Sequence, residues 1–465
     1  MVATAVILTI IVPVTGLAID VTMLYVDKTR LQGAVDGAAL AGAKGLSRGN
    51  DDATQIANAK QDAAQYVFLN YPASFFFTNS ITVNQATDVV IDETVANQRT
   101  VSVTAHAVVP TIFMRWLNFT TTNVNASSTV TRRDVNVAIV VDRSGSLAAS
   151  GSCGAVKQAA VNFVSKFANG TDNIALVTFA STTSLDFAIA NNFQTAGTNV
   201  PTLINNVVCQ GSTSSAMALW YGYDQLVGLN QPAALNVILL FTDGKPTGVN
   251  VNMPVVASSM CGHPGAPRYI NGLYNTYTNV DQFFGLLQPT PTANTIANAD
   301  LWYTSDASNS ANCIFASGWP SNVTNTSDFL GVPLTDVYGS NLDNGFQPIT
   351  RNGSNYIDFN NSANAGNMPQ NALDDAATKI RSGAVEQGPL PNSGRSLSNV
   401  IIYTVGLGNA PYPLSVPLLE RVSNDTRSSI YSTSQATGLF VLAPTTADIN
   451  ASFARIASEI LRIAK

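Results

Sequence analysis

An almost wholly apolar run, Asn136 to Val141 (NVAIVV), ends abruptly in Asp142-Arg143-Ser144-Gly145-Ser146. Its length and character are those of a strand buried on both faces, as in a parallel sheet. Ligands of open parallel α/β sheets gather at the C-terminal edge of the strands, so the polar residues that end this run stand where sites form. Asp142 would supply a carboxylate, and Ser144 and Ser146 two hydroxyls, while Gly145 lets the backbone turn tightly between them. These hard oxygen donors suit Mg²⁺ or Mn²⁺, which favour octahedral oxygen coordination with positions left to water or an incoming carboxylate. The plainer reading is an N-cap for a helix over 155–167, whose Val156, Ala160, Phe163, Val164 and Phe167 share one face.

Two later pieces favour the metal. Ile174 to Phe179 (IALVTF) and Leu185 to Ala190 read as strands, followed by a helical stretch near 200–208. Gly211-Ser212-Thr213-Ser214-Ser215 then precedes an apolar helix, Ala216 to Val227, and Thr213 offers another hydroxyl. Val237 to Phe241 (VILLF) ends in Thr242-Asp243-Gly244, again an Asp at a strand end. Each match alone is weak, whereas the three loops in this order are specific. Together they resemble a von Willebrand factor A domain with its metal-ion-dependent adhesion site, over about 134–465. The resemblance implies an α/β fold, a doubly wound, mostly parallel sheet. It also implies one divalent ion held directly or through water by Asp142, Ser144, Ser146, Thr213 and Asp243, with an acidic side chain of a protein partner completing the coordination. Neutral hydroxyl ligands agree with that, because they leave the ion's charge incompletely neutralised. Further strands at Val400 to Val405 and Leu439 to Leu442, and helices over Leu373 to Arg381 and Asp448 to Ile463, continue the alternation.

At the other end, Val2 to Ile19 is an 18-residue uncharged run, and Val21 to Val26 extends it past Asp20. Residues 2–26 are expected to form one transmembrane helix, since a cleaved signal peptide would carry a basic start and a small-residue cleavage site. Pro13 and Gly16 are tolerable in lipid. The stretch 24–46, rich in Ala and Gly, continues the helix outward. The apolar run with Pro13, then GLAIDV and LQGAVDGAALAGA, resembles the TadE/TadG-like proteins of tight-adherence (Flp) pilus assembly over about the first 45 residues. That resemblance implies a single-pass, pilin-like inner-membrane helix over 1–46 with the rest of the chain outside the cytoplasm. Lys28, Arg30 and Lys44, counted by the positive-inside rule, would argue the reverse.

Between these parts, 47–133 reads as a small α+β module. Ile56, Ala59, Ala63 and Val67 share a helix face, and Val101 to Val109 alternates with period two up to Pro110, with further strands over 81–91 and 123–133. His106 falls on the polar side of its strand and reads as a surface imidazole.

Residues 248–370, dense in Asn, Ser, Thr, Gly and Pro, interrupt the 134–465 domain. So long a structureless loop would be unusual, so a folded excursion beside the metal loop is expected, either part of the recognition surface or mere bulk. Four cysteines allow three pairings. If the loops at 142–146 and 213 converge on one ion, Cys153 and Cys209 come together, leaving Cys261 with Cys313; the alternative is four free thiols. Disulfides would agree with an extracytoplasmic location.

The charge balance narrows the function. Only 11% of the 465 residues are charged and the net charge is −6, so no basic field exists to bind nucleic acid. With His106 and His263 as the only histidines and no P-loop or nucleophile elbow, a metal-dependent hydrolase is the lesser alternative to a non-enzymatic binding protein. The remaining reading is a structural pilus scaffold whose metal only braces the fold.

Overall fold

The computed structural model describes residues 2–49, 51–72, 75, 78–180, 183–211, 213–253, 268–274, 283–288, 332–358, 362–386, 388, 390–408 and 413–464. Of these, 2–10, 12, 250–253, 268–274, 283–288, 362 and 365 are described as backbone alone. The chain divides into two compact units, Met1–Asp134 with Lys166–Thr171 and Leu461–Lys465, and Val135–Ser165 with Asp172–Ile460.

In the first unit, α1 (Val2–Gly45) and α2 (Asp52–Asn70) pack on an antiparallel sheet. Asp51 caps α2, its side chain accepting from the Thr54 backbone N–H at 2.8 Å. Leu31, Ala34, Val35, Ala38 and Ala43 of α1 share a core with Ala59, Ala63 and Val67 of α2. The Ala and Gly of 24–46 thus serve close helix approach: a Cβ on Gly45 would lie 2.7 Å from the Ala59 Cα. The sheet is centred on β3 (Gln98–Pro110), which pairs with β1 (Ser80–Thr82) and β2 (Val89–Asp92) along one edge and β4 (Thr121–Arg133) along the other. Inward Val101, Val103, Ala105, Ala107 and Val109 are fully buried, as period two requires. His106 faces outward, a ring nitrogen 2.9 Å from Asn125 Oδ1. The stretch 81–91, expected as one strand, is broken by a turn in which the Asn84 N–H donates to Asp88 at 2.8 Å. Among the described residues no helix is long and apolar enough to cross a membrane.

In the second unit, β5 (Val135–Asp142), α3 (Gly145–Ala149), α4 (Cys153–Val164), β6 (Asn173–Phe179), β7 (Thr183–Ala190), α5 (Val200–Asn206), α6 (Ser215–Leu229) and β8 (Leu235–Thr242) alternate. An antiparallel trio follows, β9 (Gly248–Met253), β10 (Arg268–Tyr274) and β11 (Phe283–Gln288), then the short β12 (Val332–Pro333), β13 (Arg351–Asn352) and β14 (Tyr356–Ile357). Helix α7 (Ser362–Arg381), β15 (Ile401–Leu407), α8 (Val416–Val422), β16 (Phe440–Ala443) and α9 (Ile449–Ile463) complete the unit. The main sheet runs β16-β15-β8-β5-β6-β7, parallel except for β7 against β6. Its central strands β5, β6 and β8 are buried along their whole length, because helices cover both faces. On one face α6 lies so close that a Cβ on Gly222 would come within 3.0 Å of Val140. On the other, Phe453 of α9 meets Phe163 and Phe241 at ring distances of 6.0 and 5.5 Å.

The stretch expected to be an insertion rejoins the core well before Gln370. Val332, Tyr338, Leu342, Ile357 and Met368 belong to the cluster that contains Trp220. Trp220 Nε1 donates to Ser340 at 2.9 Å, and Asn371 Nδ2 to the Leu342 carbonyl at 2.8 Å. Helix α7 accordingly begins at Ser362 and not at Leu373. Its polar first half, including Asn364 with its amide on the Thr350 carbonyl at 2.8 Å, ties down backbone instead of marking a loop.

Candidate metal centre

Parallel pairing of β5 with β8 in register, Val141 opposite Phe241, brings the loops after both strands to one point of the sheet's C-terminal edge. There the Asp142 carboxylate accepts from the Ser144 backbone N–H at 2.7 Å and from Thr242 Oγ1 at 2.7 Å. Asp243 Oδ1 accepts from Ser146 Oγ at 2.6 Å and from Ser144 Oγ at 3.4 Å, and the two serine hydroxyls lie 2.9 Å apart. Asp142, Ser144 and Asp243 are each at most 1% exposed, whereas Ser146 is half-buried and opens the cluster toward solvent. Asp243 Oδ2 is buried without a hydrogen-bond partner among the described residues.

Two carboxylates face one another in this small space. Burial pushes the Asp142 carboxyl up to about 7, and the charge of Asp243 adds to the rise. Burial likewise raises Asp243, against hydrogen bonds from Ser146 and Ser144 that lower it. A hard divalent cation would relieve both effects and give the unpartnered oxygen a ligand role. Among the described residues no group of three or more His, Cys, Asp or Glu could hold a metal, so a cation at this point would draw on two carboxylates and neighbouring hydroxyls. Ser144 does precede α3, but its side chain makes no capping hydrogen bond. The helix expected over 155–167 begins at Cys153, with Ser152 at its N-cap and no side-chain capping hydrogen bond there either.

Thr213 lies at the same edge without joining this network. Its loop is held by the Gln210 N–H to the Arg143 carbonyl at 2.7 Å, the Gly145 N–H to the Gly211 carbonyl at 2.8 Å, and the Ser214 N–H to the Ala180 carbonyl at 2.8 Å. A Cβ at Gly145 would make a tight 3.2 Å contact with the Gly211 oxygen, so glycine suits that approach. Thr213 itself is 6% exposed; its N–H donates to Thr247 Oγ1 at 3.0 Å. The convergence also joins Cys153 to Cys209 in a disulfide with Cα atoms 6.2 Å apart. Cys261, Cys313 and His263 lie outside the described residues.

Sequence reasoning missed Thr242 as a participant. Its hydroxyl orients Asp142 across the two strands, and only its place next to Asp243 hinted at a role. Asp186 of β7 was missed as well. It accepts from Thr178 at 2.5 Å and Ser184 at 2.8 Å, with burial raising its carboxyl above the ordinary range.

Comparison with known proteins adds the following. No curated protein matches the chain. Solved structures that superpose on it include the PilB minor pilin of Streptococcus sanguinis, 14% identical, covering 83% of this chain and 79% of that one at a TM-score of 0.36. The von Willebrand factor domain of the type V pili tip protein Mfa5 of Porphyromonas gingivalis is 18% identical, with 72% and 97% covered at a TM-score of 0.36. A von Willebrand factor type A protein of Catenulispora acidiphila is 10% identical, with 82% and 49% covered at 0.33. Superpositions this loose add nothing to the assignment, which stands on family matches. Residues 1–45 match the family described as putative Flp pilus-assembly TadE/G-like, and residues 136–278 match the von Willebrand factor type A domain. The chain thus joins a TadE/G-like segment to a von Willebrand factor type A domain, whose match takes in both aspartate loops of the candidate centre.

Proposed function

We propose that this chain is a membrane-anchored, divalent-cation-dependent protein-binding component of pilus assembly or adhesion. Asp142, Ser144, Ser146, Thr213 and Asp243 would hold Mg²⁺, and an acidic side chain of the partner would complete its coordination. The observation that carries the reading is the buried, unpartnered Asp243 Oδ2 beside a second buried carboxylate, with half-buried Ser146 on the open side. When bound, the ion supplies a positive charge that two carboxylates and neutral hydroxyls leave able to attract a further anion. The chain's own residues orient the carboxylates, through Thr242 and Ser146.

The pilus context is supported by the TadE/G-like match. The anchor is supported by the uncharged run 2–19, and an extracytoplasmic body by the Cys153–Cys209 disulfide. A binding role is supported by the pilus context that the TadE/G-like match brings. The reading in which the metal only braces the fold predicts a different outcome in the same experiment.

Wild type and Asp142→Ala are to be melted with and without Mg²⁺. The site predicts stabilisation of wild type alone, about 2.7 kcal/mol at a hundredfold excess over Kd. An equal shift in both proteins would refute the assignment. Stabilisation of wild type alone, with Asp142→Ala still assembling and adhering normally, would leave the metal a structural brace.

A further inference from the structure

We propose that the hairpin tip joining β3 to β4, residues 111–120, is a second membrane contact: a foot resting in the lipid headgroup layer beside the end of the α1 apolar run. The inference rests on the anchor reading above and adds a surface to it.

The tip is clamped to α1 by one carboxylate. Asp20 accepts the backbone N–H groups of Ile112 and Phe113 at 2.9 Å each and of Met114 at 2.6 Å, and is 1% exposed. One turn earlier, Gly16 gives the Phe113 ring its seat, since a Cβ there would come within 2.4 Å of the ring. Among the residues of 11–20 whose side chains are described, Gly16 and Asp20 are the buried ones, while Ile11, Val14, Leu17 and Ile19 around them remain exposed. The clamp answers an otherwise odd feature, a carboxylate at the end of an apolar run. Three backbone donors satisfy it, so it can sit at the edge of hydrocarbon.

What the clamp presents is apolar. Trp116, Leu117 and Phe119 are 84, 71 and 58% exposed, and Ile112 is 46% exposed. The tip sequence TIFMRWLNFT carries one cation, Arg115, and no carboxylate. An amphipathic Trp with a neighbouring cation is the chemistry of a bilayer interface, where rings lie at headgroup depth and basic side chains meet phosphate. The position agrees: Val2 to Ile19 spans about 27 Å at helical rise, close to the hydrocarbon thickness, which puts Asp20 and its clamped tip at the boundary.

The test uses the full chain with Trp302→Phe and Trp319→Phe, leaving buried Trp220 as a constant background. It is reconstituted in phosphatidylethanolamine–phosphatidylglycerol vesicles with brominated acyl chains. The foot predicts that Trp116 emission shifts to the blue, is quenched by the bromines and is shielded from aqueous iodide; Trp116→Phe removes that component. A chain that resists alkaline extraction from the vesicles while Trp116 is quenched by iodide alone overturns the foot and keeps the anchor. Trp116 shielded from both quenchers means that protein covers it, a second copy or another subunit, which also overturns the foot. Release of the chain by alkaline extraction overturns the anchor reading, and the foot with it.

Discussion

Two buried carboxylate sites, one in each unit, are satisfied in opposite ways. In the first, Asp20 takes three backbone N–H groups and is complete within its own unit. In the second, Asp142 and Asp243 are set against each other and one oxygen has no partner. A satisfied buried charge is a structural clamp, whereas an unsatisfied pair is an arrangement that an outside cation would complete. Glu386 is a third case. Its carboxyl is buried beside Asp224, and burial followed by the charge of Asp224 and a contact with its carboxylate pushes it up to about 9.

This contrast can be broken experimentally. The largest effect is expected from Cys153→Ala with Cys209→Ala, which frees the ends of a 56-residue separation that holds the second unit's loops. Loop-closure entropy puts the loss at about 4 kcal/mol by denaturant unfolding. A loss below about 1 kcal/mol would mean that the strand ends hold the site unaided.

Asp20→Ala leaves three buried donors without an acceptor and should cost about 2 kcal/mol in a probe reporting on the first unit, with Mg²⁺ binding unchanged. If the variant weakens Mg²⁺ binding instead, the two kinds of carboxylate are not independent.

Glu386 gives a pH dependence of defined sign. Its folded value lies above the unfolded value of 4.5, so the fold favours the protonated form. Its contribution is therefore complete below about pH 4.5 and is lost as pH climbs toward about 9. The melting temperature should fall over that window, and Glu386→Gln should flatten the slope. An unchanged slope in the variant would assign it to other groups.

The smallest effect is expected from Thr242→Val, which removes the hydroxyl that orients Asp142. About 1 kcal/mol of stability should go, together with a measurable weakening of Mg²⁺ affinity by calorimetry. Loss of stability with unchanged affinity would make Thr242 a packing residue only.

Much of the fold was legible because its signals are local. The continuous apolar runs of β5, β6 and β8, the alternation along β3 and the face of α2 that carries Ala59, Ala63 and Val67 each lie within a few residues, and each element is found where it was expected. The disulfide was legible for a different reason: two strand-end loops of a parallel sheet converge, and the cysteines sit beside them. What misled was polarity. Asn364 and Asn371 look like loop residues, yet they hydrogen-bond carbonyls of neighbouring segments and sit in a helix of the core. The Ala and Gly of 24–46 could be read as a helix, but not as the close seat of α2.

By itself, then, the sequence determined the alternation of strands and helices, the strand-end placement of Asp142, Ser144, Ser146 and Asp243, and the uncharged run at 2–19. These follow from hydrophobic period and chain order, which neighbouring residues encode. Only the tertiary structure decided that Thr242 orients Asp142, that 332–370 returns to the core, and that Asp20 clamps a hairpin tip more than ninety residues away. Each is a hydrogen bond or packing contact between residues distant in the chain. Such pairings leave no periodic trace in sequence, because their partners are chosen by the fold.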